Sequence, residues 1–285
     1  MNMKKIALLF LVVFVSVVTL SAQADKYEQR YELMVSKLGP SGVGVENLLT
    51  KWAAADSTDE KLLAATFKFY FAKAQSSQVV ARSQKKYLGM KPLFSLKDST
   101  GTDVHYYQET FFDDELYAKA LKAADRAIAF HPSSLDFRFM KANAYISYEK
   151  ESPDMALAYL LELIKDDEKR EGPWLFEGKT ADSSFFEDAM QEYCYSFYSI
   201  GSTVSMDAFL KLSEVMYKLH PANTIFLCNI GSYHMVAKQD YKKALKYYSK
   251  VLKKTPGDKT AVRNSLVAAR KMKNARLVEK LNKML

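Results

Sequence analysis

The chain has 285 residues, 48% hydrophobic and 26% charged, a balance that excludes a disordered or low-complexity polymer and allows a real core. Its 10 Gly and 7 Pro are too few for an all-β chain with a turn every few residues, so composition leans helical. The formal net charge of +8 is lopsided: residues 238–285 carry 15 Lys and Arg against Asp240, Asp258 and Glu279, a net of +12. With Lys4 and Lys5 set aside, residues 25–237 are therefore net −6.

At the N-terminus Lys4 and Lys5 precede an apolar run of 15 residues, Ile6 to Leu20, and Ser21-Ala22-Gln23-Ala24 then supplies small residues. This is the arrangement of a secretory signal peptide, with cleavage after Ala22 or Ala24. A membrane span needs about 20 apolar residues, so removal of residues 1–24 is predicted rather than anchoring. No Cys follows the run to accept a lipid. The mature chain is expected to be periplasmic or secreted, with no transmembrane span, and export argues against nucleic acid as a partner.

Residues 25–112 read as degenerate helical repeats. Helices are predicted over 26–38, 45–55 and 59–75, separated by Gly39-Pro40-Ser41-Gly42-Val43-Gly44 and by Asp56-Ser57-Thr58-Asp59. The first link lacks the Gly-Lys-Ser/Thr of a phosphate loop and reads as a plain turn. Residues 76–112 read as an insertion. In it Leu93–Lys97 and Val104–Tyr107 flank Asp98-Ser99-Thr100-Gly101-Thr102-Asp103 as a small β-hairpin.

Residues 113–258 carry the clearest pattern. Asp113, Asp114 and Glu115 stand where negative charge favours the exposed N–H groups of a helix start. Three segments end alike: Phe130-His131-Pro132-Ser133-Ser134, Leu219-His220-Pro221-Ala222-Asn223 and Lys254-Thr255-Pro256-Gly257-Asp258. Proline cannot continue a helix, and a polar residue after it can cap the next one. Counting back 12, 8 and 5 residues gives Ala120, Ala124 and Ala127 before Pro132. The same offsets give Phe209, Ser213 and Met216 before Pro221, and Ala244, Tyr248 and Val251 before Pro256. Residues 166–184, with Gly172-Pro173-Trp174 and Gly178, read as a loop, and 259–285 as a final capping helix pair with a polar outer face.

This repeated second helix, with Leu227, Ile230 and Gly231 ahead of Ala244 and with Lys141-Ala142-Asn143-Ala144-Tyr145, resembles the tetratricopeptide repeat. The resemblance implies an all-α fold: a right-handed α-solenoid of about five helix pairs carrying the hairpin insertion. It also implies that first helices line a concave groove, with Phe139, Asn143, Cys194, Tyr198, Cys228 and Ser232 on or near it; packing between helices is an equal alternative. Equivalent positions on neighbouring helices stand about 8–10 Å apart, and a disulfide needs Cα atoms within about 7 Å. Cys194 and Cys228 are therefore expected to be free thiols.

No catalytic, cofactor or metal signature is found. The sequence holds no His-Glu-x-x-His or Gly-x-Ser-x-Gly, and the cysteines are not spaced for zinc. His131 and His220, each just before a helix-ending proline, are expected to complement the last carbonyls of their helices. Lys242, Lys243, Lys246 and Lys250 fall on the side of a helix opposite Ala244, Tyr248 and Val251. They form either a solvated face or a docking surface for an anionic envelope component or glycan. The expected function is a non-enzymatic adaptor that binds a protein segment. The alternative is a glycan- or cell-wall-binding accessory protein, with Tyr193, Tyr195, Phe197 and Tyr198 as the rings that would stack sugars.

Overall fold

The computed structural model describes residues 25–182 and 184–285; the predicted signal peptide lies outside the described residues. The chain is mostly helical, with a small antiparallel sheet, as its composition and hairpin motif predict. Residues 25–38 form helix α1, followed by α2 (Val45–Ala55) and α3 (Glu60–Lys73). Strands β1 (Gln75–Arg82), β2 (Phe94–Lys97) and β3 (Asp103–Phe112) come next, in sheet order β1-β3-β2. Then follow α4 (Asp114–Phe130), α5 (Leu135–Glu149) and α6 (Asp154–Lys169), and the two-residue strands β4 (Leu175–Phe176) and β5 (Lys179–Thr180). The remaining helices are α7 (Phe185–Ile200), α8 (Thr203–Leu219), α9 (Thr224–Val236), α10 (Tyr241–Lys254), α11 (Lys259–Lys271) and α12 (Ala275–Asn282).

Two compact units divide the chain. The first holds residues up to Val80, Gln108–Ala144 and Trp174–Thr180; the second holds Ala81–Tyr107, Tyr145–Pro173 and Ala181–Leu285.

In the first unit the core of α1–α3 gathers around Trp52, which is 1% exposed. Tyr27 stacks on its ring at 6.2 Å, and Val45, Leu49, Leu62 and Phe69 complete the cluster. Asp59 serves twice. One carboxylate oxygen caps α3 by accepting from Lys61 N at 2.8 Å, and the other accepts from Trp52 Nε1 at 2.9 Å. That bond satisfies the one polar atom of an otherwise apolar side chain. Asp113 caps α4 as expected, accepting from Leu116 N at 2.9 Å. The loop before β4 is anchored rather than loose. Trp174 is buried, the Arg138 guanidinium lies 4.7 Å over its ring, and Leu175 N donates to Ser133 O. Arg138, an unexpected charge within a helix core, is thereby accommodated by an aromatic face.

In the second unit successive helices pack on their chain neighbours: α7 on α8, α8 on α9, α9 on α10, α10 on α11 and α11 on α12. Lighter next-but-one contacts join α7 to α9, α9 to α11 and α6 to α8. Helix α6 begins after Pro153, which offers no side-chain cap, and Glu149 from the end of α5 accepts from Met155 N and Ala156 N instead. The predicted hairpin is present, with Phe94 opposite Tyr106 and Lys97 opposite Asp103. Asp98 holds its turn by accepting from Thr100 N and Thr102 N.

The three helix ends singled out in the sequence are built alike. The C-cap residues His131, His220 and Thr255 have φ of −122°, −119° and −134°. Each donates its N–H four residues back, to Ala127 O, Met216 O and Val251 O. Each carbonyl then accepts from the residue three on, at 3.0 to 3.1 Å. All nine residues at the offsets of 12, 8 and 5 are at most 3% exposed. Where the spacing places a small or apolar side chain, the fold buries it against the preceding helix.

Three local expectations need correction. Residues 76–82, read only as part of an insertion, belong to β1, and β3 runs on past Tyr107 to Phe112, so the hairpin is part of a three-stranded sheet. Helix α6 continues through Asp166 to Lys169, into the segment read as loop. His131 does not serve its own helix: its ring nitrogen meets Thr58 O at 3.0 Å.

Candidate functional site

In the second unit a cleft of about 940 Å³ lies between α6 and α8. Its floor comes from Tyr159 and Leu161 on α6 and from Val215 and Leu219 on α8, all half-buried. Tyr159 is held edge-on against Tyr145 at 5.8 Å. Lys165, Lys169, Lys211 and Lys218 line the cleft as well and are exposed, against Glu162 and Glu168. Lys165 is paired with Glu162 at 2.6 Å, a fully solvated i, i+3 contact of little energetic weight. The cleft is therefore apolar below and net positive at its edge, a pairing suited to an amphipathic ligand with acidic groups.

The groove residues expected from the repeat resemblance fall in both units, Phe139 and Asn143 in the first, Cys194, Tyr198, Cys228 and Ser232 in the second. Cys194 is 0% exposed, with its Sγ 3.4 Å from Ser213 Oγ on α8. Cys228 is 6% exposed, among Leu227, Ala244, Tyr248 and Ala261. Both are free thiols. Burial pushes each up to about 12, so neither is a ready nucleophile or metal ligand. Tyr198 packs edge-on to Phe209 at 5.4 Å, and Ser232 Oγ donates to Cys228 O at 3.1 Å and lies 3.2 Å from Tyr248 Oη. Phe139 is half-buried and lies 6.1 Å from the Phe176 ring, while Asn143 is exposed. In the second unit these side chains are chiefly packing groups between helices, with Tyr198 and Ser232 partly accessible.

The four lysines Lys242, Lys243, Lys246 and Lys250 are all exposed along α10, opposite the buried Ala244, Tyr248 and Val251. Of the four rings offered as a sugar platform, Tyr193 and Phe197 are buried and Tyr198 is half-covered; Tyr195 alone stands out, 62% exposed.

The cleft is not legible in the local pattern, because its floor residues belong to the outward stripe of α6 and α8. Among the described residues, one set combines the donor types and spacing that could hold a metal ion: Asp167, Glu168 and His220. Also among the described residues, no helix is long and apolar enough to cross a membrane. Comparison with models of known protein families finds no match, and comparison with curated proteins finds none either.

Proposed function

We propose that the chain is an exported, non-enzymatic adaptor built as a right-handed, tetratricopeptide-like solenoid, which holds an acidic amphipathic segment of a partner protein. The observation that carries the repeat reading is the threefold recurrence of one helix end, with the same cap geometry and the same three buried positions on α4, α8 and α10. Serial packing of α7 through α12, each on its chain neighbour, supports it, because such units bury their apolar faces only by stacking.

The cleft between α6 and α8 is the preferred binding surface. Its floor offers anchors for apolar side chains one helical turn apart, and four lysines against two glutamates favour acidic flanks. The first-helix positions Tyr198, Ser232, Phe139 and Asn143 are a secondary surface. A glycan-binding role is less well supported, since one exposed ring, Tyr195, makes a poor stacking platform. Docking of the α10 lysines on an anionic surface is the second reading, favoured by their uniform exposure and by the net charge of the C-terminal end.

Photo-crosslinking residues placed singly at Ala158 in the cleft, at Asn143 and at Lys246 test this in envelope extracts. The expected result is a discrete protein adduct from position 158, abolished by Val215→Glu. Adducts confined to position 143 would move the site to the first helices. Adducts confined to position 246 would overturn the cleft in favour of the basic face.

A further inference from the structure

His220 is the C-cap residue of α8, yet its side chain does not cap that helix. Its Nδ1 meets Glu187 Oε1, in the first turn of α7, at 3.1 Å. Glu187 is held in turn: its Oε2 accepts from Asn223 Nδ2 at 2.8 Å, and Asn223 is the N-cap of α9. A carboxylate on Nδ1 selects the tautomer with the proton there and leaves the lone pair on Nε2. That Nε2 is shielded from solvent and makes no hydrogen bond. Asp167 and Glu168, at the C-terminal end of α6, approach the same imidazole: one donor atom from each of Asp167, Glu168 and His220 lies within 4.8 Å of the other two.

We propose that Asp167, Glu168 and His220 bind a divalent transition-metal ion of the Zn²⁺ class, with Glu187 and Asn223 as positioning residues. Four features converge on this assignment. One imidazole with two carboxylates is a borderline donor set that suits zinc, whereas Ca²⁺ and Mg²⁺ prefer all-oxygen shells of higher coordination number. Three protein ligands leave a position for water or for a ligand atom. The carboxylate behind the imidazole is the support that metal-bound histidines almost always have, and here it is itself pinned by an amide. Finally, α6 and α8 both bring their C-terminal ends, which carry partial negative charge, to this end of the cleft. Donor atoms of a tetrahedral zinc site stand about 3.3 Å apart, so the cluster contracts by up to about 1.5 Å on binding. Glu168 is exposed and can supply that movement by a change of rotamer. An ion here ties α6 to α8 at the mouth of the cleft that the two helices line, whatever occupies the cleft.

The test is zinc binding to the purified full chain, free of any polyhistidine tag and stripped with chelator, read by metal analysis after equilibrium dialysis and by calorimetry with ZnCl₂. One ion per chain is expected, with MgCl₂ and CaCl₂ giving no heat. His220→Ala should remove the site. Asp167→Asn and Glu187→Gln should each weaken it by about 10–100-fold, the usual cost of losing a metal-site carboxylate or its support. The zinc-induced rise in Tm of the wild-type chain should vanish in His220→Ala, with an unchanged far-ultraviolet spectrum showing that the variant is folded. Absence of zinc uptake by the wild-type chain at about 100 μM, far above a built site's Kd, overturns the proposal. So does a His220→Ala variant that binds as the wild type does.

Discussion

The α2 core and the α9–α10 core bury their centres by opposite means. Around α2 the largest ring, Trp52, sits at the centre of a cluster of large side chains, and its polar edge is satisfied by Asp59. Between α9 and α10 no side chain larger than Tyr248 is fully buried, and the helices close on Ala244, Val251 and Gly231. Gly231 leaves the room that the Tyr248 ring occupies: a Cβ there would stand 2.6 Å from Tyr248 Cε1. One region is built around large buried side chains with Trp52 at their centre; the other relies on the close approach of two backbones. The first should therefore fail by cavity and the second by crowding.

Trp52→Ala tests the α2 core and should have the largest effect. Truncation leaves a cavity and removes the donor that Asp59 accepts, at a cost of about 3–5 kcal/mol. Urea melts followed by circular dichroism should place the midpoint far below that of the wild type. A loss under about 1 kcal/mol would mean that the α1–α3 cluster is not a cooperative core.

Gly231→Ala tests the α9–α10 core. In a bare helix this change gains about 1 kcal/mol of propensity. Here the new methyl meets a ring that is fully buried and cannot swing away, so overpacking of about 1–3 kcal/mol opposes that gain. A net loss near 1 kcal/mol is expected. Gly257→Ala is the matched control, because nothing lies within 4 Å of its would-be Cβ; it should be neutral within about 0.5 kcal/mol. Equal effects at the two positions would dissolve the contrast.

Smaller again are the caps that set the repeat boundaries. Asp258 accepts from Ala261 N at 2.8 Å at the start of α11, and Asp258→Ala should cost about 1 kcal/mol in the same melts. Asn223→Ala removes both the bond to Ile225 N and the bond that pins Glu187. It should exceed Asp258→Ala; the reverse order would show that the Glu187 contact contributes nothing.

How much of this was written locally explains what could be read. The offsets before Pro132, Pro221 and Pro256 are legible because proline, cap and helical period all act within one or two turns of chain. The hairpin is legible for the same reason, since Asp98 organises its own turn. The rest depends on partners distant in sequence. Strand β1 is polar and largely exposed, and it becomes a strand by pairing with β3, so no alternation marks it. Trp174 sits in a Gly-Pro loop and is buried with its ring against the guanidinium of Arg138, 36 residues earlier. His220 reads locally as a helix-end residue, while its actual partner Glu187 lies 33 positions upstream on another helix. A first-helix register marks the groove positions, while burial of Cys194 and Cys228 follows from the neighbouring second helices, on which the register carries no information.

The finest probe of the α9–α10 interface is protonation of His234. Its ring is 8% exposed and stacks on Tyr247 at 5.4 Å. Burial lowers its pKa, Lys243 and Lys238 push the same way, and Asp240 opposes them. A folded pKa below the unfolded value of about 6.5 means that the unfolded chain binds more protons between the two values. Stability from this group is therefore fully present above about pH 6.5 and is lost as pH falls through the folded value. His234→Phe keeps the stacked ring and removes the titration, so its Tm should fall less than that of the wild type between roughly pH 7 and pH 5. Lys243→Gln, which removes a charge that pushes the folded pKa down, should raise that value toward the unfolded one and so make the loss smaller without abolishing it. Parallel pH profiles for wild type and His234→Phe would show that the imidazole is solvated in the folded state. The interface would then be held by the close packing at Gly231 and Tyr248 without regard to charge.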